Sequence, residues 1–85
     1  MAPYLIRAAS YAALHQDDRA IADFKTAIVL CSPPMRAKAY EGRGMVYGGQ
    51  QLYDNAISDF SAAIKLAPKE PNPYYDRALT YAAIG

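Results

Sequence analysis

The sequence predicts an all-α fold: antiparallel helix-turn-helix repeats stacked on one another, five helices in about two and a half repeats. Three observations predict it. Asp18-Arg19-Ala20-Ile21-Ala22-Asp23-Phe24-Lys25-Thr26-Ala27-Ile28 returns 36 residues later as Asp54-Asn55-Ala56-Ile57-Ser58-Asp59-Phe60-Ser61-Ala62-Ala63-Ile64, with seven of eleven positions identical. Arg7-Ala8-x-x-Tyr11 returns as Arg43-Gly44-x-x-Tyr47, again at 36, and as Arg77-Ala78-x-x-Tyr81 after a further 34. Within each copy the apolar residues keep to one helical face, at i, i+1, i+4, i+7 and i+8. One domain, 1–85, therefore holds a first repeat over 1–36, a second over 37–70 and the first helix of a third over 71–85.

Each element has its own justification. The first helix is predicted over 3–15, with a stripe of Tyr4, Ala8, Tyr11 and Ala12. The second, over 18–31, carries Ala20, Ile21, Phe24, Ala27 and Ile28, and Asp17 or Asp18 is placed to cap it. The third, over 34–49, carries Tyr40, Gly44 and Tyr47, and Gly48-Gly49 weakens its end and favours a turn near it. The fourth, over 54–67, carries Ala56, Ile57, Phe60, Ala63 and Ile64; Asp54 is its predicted cap, and Pro68 and Pro71 end it. The fifth, over 73–84, opens on Asn72 as cap and Pro73 at the first helical position. Small residues at Ala8, Gly44 and Ala78, facing Ala20, Ala27, Ala56 and Ala63, allow close approach, and Tyr11, Tyr47, Phe24 and Phe60 fill the space beside them.

Composition narrows the function classes. Of 85 residues, 53% are hydrophobic and 20% charged, which is globular rather than disordered. A chain this short draws only modest stability from one core. The net charge of +1 gives no basic face for nucleic acid. No apolar run approaches the roughly 20 residues of a membrane span. The opening Met1-Ala2-Pro3-Tyr4-Leu5-Ile6-Arg7 does not read as a signal peptide, so a cytoplasmic location is expected.

Catalytic and metal chemistry find no footing. A single histidine, His15, and a single cysteine, Cys31, build no ordinary zinc site, and Cys31 reads as a half-buried structural thiol at a helix end. Asp17, Asp18, Asp23, Asp54 and Asp59 read as caps and solvated helix faces. Gly42-Arg43-Gly44 and Gly48-Gly49 follow no strand and form no phosphate loop. The eight tyrosines and two phenylalanines recur mostly at equivalent positions, which suits a core better than base stacking. The chain is thus expected to be no enzyme and to use no cofactor and no metal.

The run Tyr40-x-x-Arg43-Gly44-x-x-Tyr47, followed by Tyr53-Asp54-x-Ala56-Ile57-x-Asp59-Phe60-x-x-Ala63-Ile64-x-Leu66-x-Pro68, resembles a tetratricopeptide repeat. The first repeat departs from the family pattern, with Ala8 where glycine is usual, His15 at the turn glycine and Ser32 where proline is usual. The resemblance implies antiparallel helix pairs stacked in a right-handed superhelix, with the first helices lining a concave groove that takes a partner's peptide or helix. It implies adaptor or scaffold work, not catalysis.

By the i, i+4, i+7 spacing, the groove-facing residues are Leu5, Ala9 and Ala12, then Glu41, Met45 and Gly48, then Tyr75, Leu79 and Ala82, with Lys38 and Asn72 at the margin. The predicted site is Leu5, Ala9, Ala12, Lys38, Glu41, Met45, Tyr75 and Leu79, an apolar trough suited to an amphipathic helix or extended apolar peptide. Family members that grip a chaperone's C-terminal carboxylate carry lysine, arginine and asparagine where this chain has Leu5, Ala9, Gly42, Asn72 and Asp76, so such tails are not the expected ligand. The alternative reading is a structural self-assembly module, or part of a longer array, in which another copy covers the exposed last helix and a homo-oligomer forms through it. A pentatricopeptide-like RNA binder would need polar base-reading residues where Leu5, Ala9 and Met45 stand.

Overall fold

The computed structural model describes residues 3–84, and they form five helices in the predicted order. They are α1 (Pro3–Ala13), α2 (Asp17–Leu30), α3 (Pro33–Gly49), α4 (Tyr53–Leu66) and α5 (Pro71–Ile84). No strand occurs among the described residues. Consecutive helices pack on one another throughout, α1 on α2, α2 on α3, α3 on α4 and α4 on α5. In addition α1 touches α3 and α3 touches α5, whereas α2 and α4 do not touch. The first helices of successive hairpins thus form the tighter layer and the second helices fan outward, which makes the α1/α3/α5 side concave. The smallest extent of the molecule, 16 Å, is that of two helix layers.

The core is built from the recurring small and aromatic residues. Ala8, Ala20, Phe24 and Ala27 are buried in the first hairpin, and Gly44, Ala56, Phe60 and Ala63 in the second. Tyr11, Ile21, Ile28 and the half-buried thiol of Cys31 pack around the first group. Ala39 and Val46 of α3 join that same cluster, so α3 buries two faces, one toward each hairpin. Its glycines permit this. A Cβ on Gly44 would stand 2.8 Å from Phe60 Cε1, and one on Gly42 would collide with Phe24 Cε1. Ala78, the third member of the Ala8/Gly44 series, is exposed, because no helix lies over that side of α5.

Several local expectations are corrected. The residues before α2 and α4 are Gln16 and Leu52, neither with a side-chain capping bond. Asp17, Asp18 and Asp54 sit one or two residues further in, where their charge meets the positive end of the helix dipole. The third helix does end at Gly49 with the turn directly after it, and the left-handed residue of that turn is Gln51, at φ 64°. His15 occupies the equivalent place in the first hairpin at φ 60°. Both turns close with the same pair of bonds. The His15 and Gln16 amides donate to the carbonyls of Ala12 and Tyr11, and the Gln51 and Leu52 amides donate to those of Gly48 and Tyr47. The fifth helix begins at Pro71, so Asn72 lies in its first turn instead of capping it; proline is tolerated there because first-turn amides have no intrahelical acceptor. Tyr74 Oη donates to the Pro68 carbonyl at 3.0 Å and fixes the α4–α5 connection.

Candidate functional site

The concave face carries a chain of shallow clefts. The first, about 490 Å³, lies between α1 and α3 and is lined by Ala9, Ala12, Ala13, Phe24, Gly42, Met45 and Val46, with His15, Asp17 and Gly49 at its rim. Met45 also lines a second cleft of about 330 Å³, bounded by Gly48, Tyr53 and Phe60 and, from α5, by Asp76, Leu79, Thr80 and Ala83. A third of about 110 Å³ opens between Lys38, Glu41, Glu70 and Asn72 over Ala37 and Pro73. A concavity of about 520 Å³ at the first hairpin turn is bounded by the consecutive residues His15 to Arg19 alone, so it is an open turn surface.

Ala9, Ala12 and Met45 therefore meet in one cleft, Met45 and Leu79 in the next, and Lys38 and Glu41 in the third. Met45 is the hinge point of the series and is exposed, as are Leu79 and Tyr75. Leu5 and Tyr75 line none of these clefts. Leu5 packs against the core cluster, and Tyr75 stands out from α5. Clefts of small apolar residues bounded by flexible methionine and leucine admit an apolar side chain without demanding one fixed shape.

Two features of the structure were not read from the sequence. Asp23 and Asp59, expected on solvated faces, are buried and paired. Arg7 Nε and Nη2 donate to the two carboxylate oxygens of Asp23 at 2.7 and 2.9 Å, and Arg43 Nε and Nη2 donate to those of Asp59 at 2.8 Å each. The Arg7 guanidinium, as donor of these bonds, holds the Asp23 carboxyl below its ordinary range. The signal was available: arginine and aspartate recur together, sixteen residues apart in both repeats. The second feature is an acid pair. Glu41 of α3 and Asp76 of α5 are neighbours close enough to influence one another's titration. Burial, and then the neighbouring Asp76, push the Glu41 carboxyl up, while Lys38 partly offsets the rise; burial likewise pushes Asp76 up. Among the described residues no three histidine, cysteine, aspartate or glutamate side chains gather as a metal site, and no helix is long and apolar enough to cross a membrane.

A repeated helical hairpin, locked by the same arginine–aspartate fork and stacked with its first helices inward, defines a helical-repeat protein. The repeat is of a known kind: residues 37–70 match the family model described as a tetratricopeptide repeat. The dynein axonemal assembly factor 4 proteins of Rattus norvegicus and Mus musculus are similar to it, each 35% identical over 71 residues. That match takes in 76% of this chain, which spans only 17% of the length of those relatives. No solved structure matches the chain.

Proposed function

We propose that this chain is a non-catalytic interaction module that seats a helix or extended apolar segment of a partner protein along the α1/α3/α5 face. The observation that carries this reading is the pair of adjoining clefts joined at Met45, which runs from Ala9 and Ala12 to Leu79 across three helices. The small floor residues let a partner backbone approach, and Met45 and Leu79 supply exposed apolar contact. Lys38 and Glu41 at one margin suit an amphipathic rather than a wholly apolar ligand. The relatives bear a name that ties them to dynein axonemal assembly, which agrees with a scaffold role but covers far more chain than is present here.

The test is co-precipitation with the wild type beside the Met45→Glu, Leu79→Glu double variant, with circular dichroism showing that both are folded. Both residues are exposed, so the double variant is expected to fold and to lose the partner. Equal recovery of the same partner by the two proteins would remove the groove from the proposal.

A further inference from the structure

The concave clefts are apolar along their floor and acidic along one margin. Glu41 stands four residues before Met45 on α3, and Asp76 three before Leu79 on α5, so each acid shares a helix face with an exposed apolar cleft residue. Asp76 lines the same cleft as Met45 and Leu79, and Glu41 opens onto the neighbouring cleft with Glu70 and Lys38. Both Glu41 and Asp76 are half-buried. Among the described residues neither forms an ion pair; the aspartates that do, Asp23 and Asp59, are held by Arg7 and Arg43 inside the hairpins. Lys38 draws the Glu41 carboxyl down, and the nearby Asp76 and Glu70 work against it.

Two half-buried carboxylates without a counter-charge burden the empty fold. Burial raises both, so the burden is greatest at neutral pH, where both must ionise. A cation placed between them removes it. With no third metal-ligating side chain gathered beside them, the two acids make a poor metal site, which leaves a cation carried on a protein side chain.

We infer that the segment seated on this face is a basic amphipathic helix of a partner protein, with a lysine or arginine lodged between Glu41 and Asp76 and its apolar residues, one turn along, against Met45 and Leu79. The inference rests on the groove reading above and specifies its ligand. Charge complementarity selects the occupant, since an acidic or wholly apolar helix would cover the two carboxylates and leave them unpaired. A second copy of the chain is ill equipped for the place. Its Arg7 and Arg43 are forked by its own aspartates, Arg36 donates to the Cys31 carbonyl and Arg77 to Ser61 Oγ.

The probe is a fluorescent peptide of about four helical turns, built of alanine and glutamine with leucine and lysine one turn apart on one face. It is titrated into the intact chain and followed by anisotropy, beside a second peptide with glutamate in place of lysine. Saturable binding of the lysine peptide is expected, with the glutamate peptide about tenfold or more weaker, the scale of a charge-assisted pair. The peptide change leaves the chain unaltered, so this arm does not depend on a variant's folding. Glu41→Gln with Asp76→Asn is expected to weaken the lysine peptide comparably and to close the gap between the two peptides, which is the coupling a direct pair produces. Met45→Gln with Leu79→Gln, which adds no charge, is expected to weaken both. If the two peptides bind alike and the Met45, Leu79 variant loses both, the groove stands and the basic ligand is overturned. If that variant binds the lysine peptide undiminished, the groove itself fails and the inference with it. No saturable binding of the lysine peptide at millimolar concentration overturns the inference too. A chain whose mass doubles with concentration in sedimentation, and which Glu41→Gln with Asp76→Asn returns to monomer, would make a second copy the occupant and overturn the partner helix.

Discussion

Gly42 and Gly48 stand on the same helix and answer an added methyl group in opposite ways. At Gly42 the new Cβ collides with the buried Phe24 ring, and a ring only 3% exposed has little room to withdraw. Gly42→Ala is expected to cost about 1–3 kcal/mol of overpacking, more than the roughly 1 kcal/mol it gains in helix propensity. At Gly48 nothing lies within 4 Å, so Gly48→Ala keeps the propensity gain and is expected to stabilise by about 0.5–1 kcal/mol. Urea unfolding of the two variants checks both signs. The close approach at Gly44 was legible because Ala8 and Ala78 repeat it. That at Gly42 was not, because Ile6 and Asp76 occupy the equivalent places and periodicity gives no hint of a contact made between hairpins. The burial of Asp23 and Asp59 was hidden for another reason: an aspartate on a helix is ordinarily solvated, and only its pairing with an equally periodic arginine shows otherwise.

At the scale of the element, each hairpin is closed by a non-glycine residue in the left-handed region. A side chain there costs on the order of 1 kcal/mol that glycine does not. His15→Gly and Gln51→Gly are each expected to raise the melting temperature, by about 0.5–1 kcal/mol in stability. The sequence placed a turn near Gly48-Gly49 because glycine weakens a helix end; the turn follows there, with its left-handed residue at Gln51, equivalent to His15 in the first hairpin. The two arginine forks differ in depth. Side-chain exposure is 20% for Arg43 against 57% for Arg7. Arg43→Ala strands the Asp59 carboxylate inside the second hairpin and is expected to cost about 2 kcal/mol, the scale of a lost hydrogen bond to a charged group. Arg7→Ala leaves Asp23 nearer to water and is expected to cost clearly less, which parallel denaturation curves resolve.

The whole molecule has opposing responses to acid. Asp23, held low by Arg7, contributes stability above its ordinary range and loses it as pH falls through the depressed folded value. Glu41 and Asp76 run the other way. Raised by burial, they favour the folded chain when protonated, below their ordinary range, and that contribution is lost as pH rises through their raised values. Melting temperature between about pH 3 and about pH 8 is therefore expected to pass through a maximum in mild acid. Glu41→Gln is expected to flatten the neutral side of that maximum and to raise the melting temperature at neutral pH. The order of helices, the core stripes and the exposed Met45 and Leu79 could be read from spacing alone. The acid pair could not, since it joins helices whose relative placement depends on how one hairpin leans on the next.

That lean has a mechanical consequence. α2 and α4 do not approach one another, and α3 only brushes α1 and α5 on the inside, so the hairpins are joined chiefly where α2 packs on α3 and α4 packs on α5. A change in curvature therefore has to slide α2 over α3 and α4 over α5. The trough can widen or narrow only as far as the Phe24 ring, wedged against Gly42 of the neighbouring hairpin, can follow, so one aromatic seat sets how far the face can open.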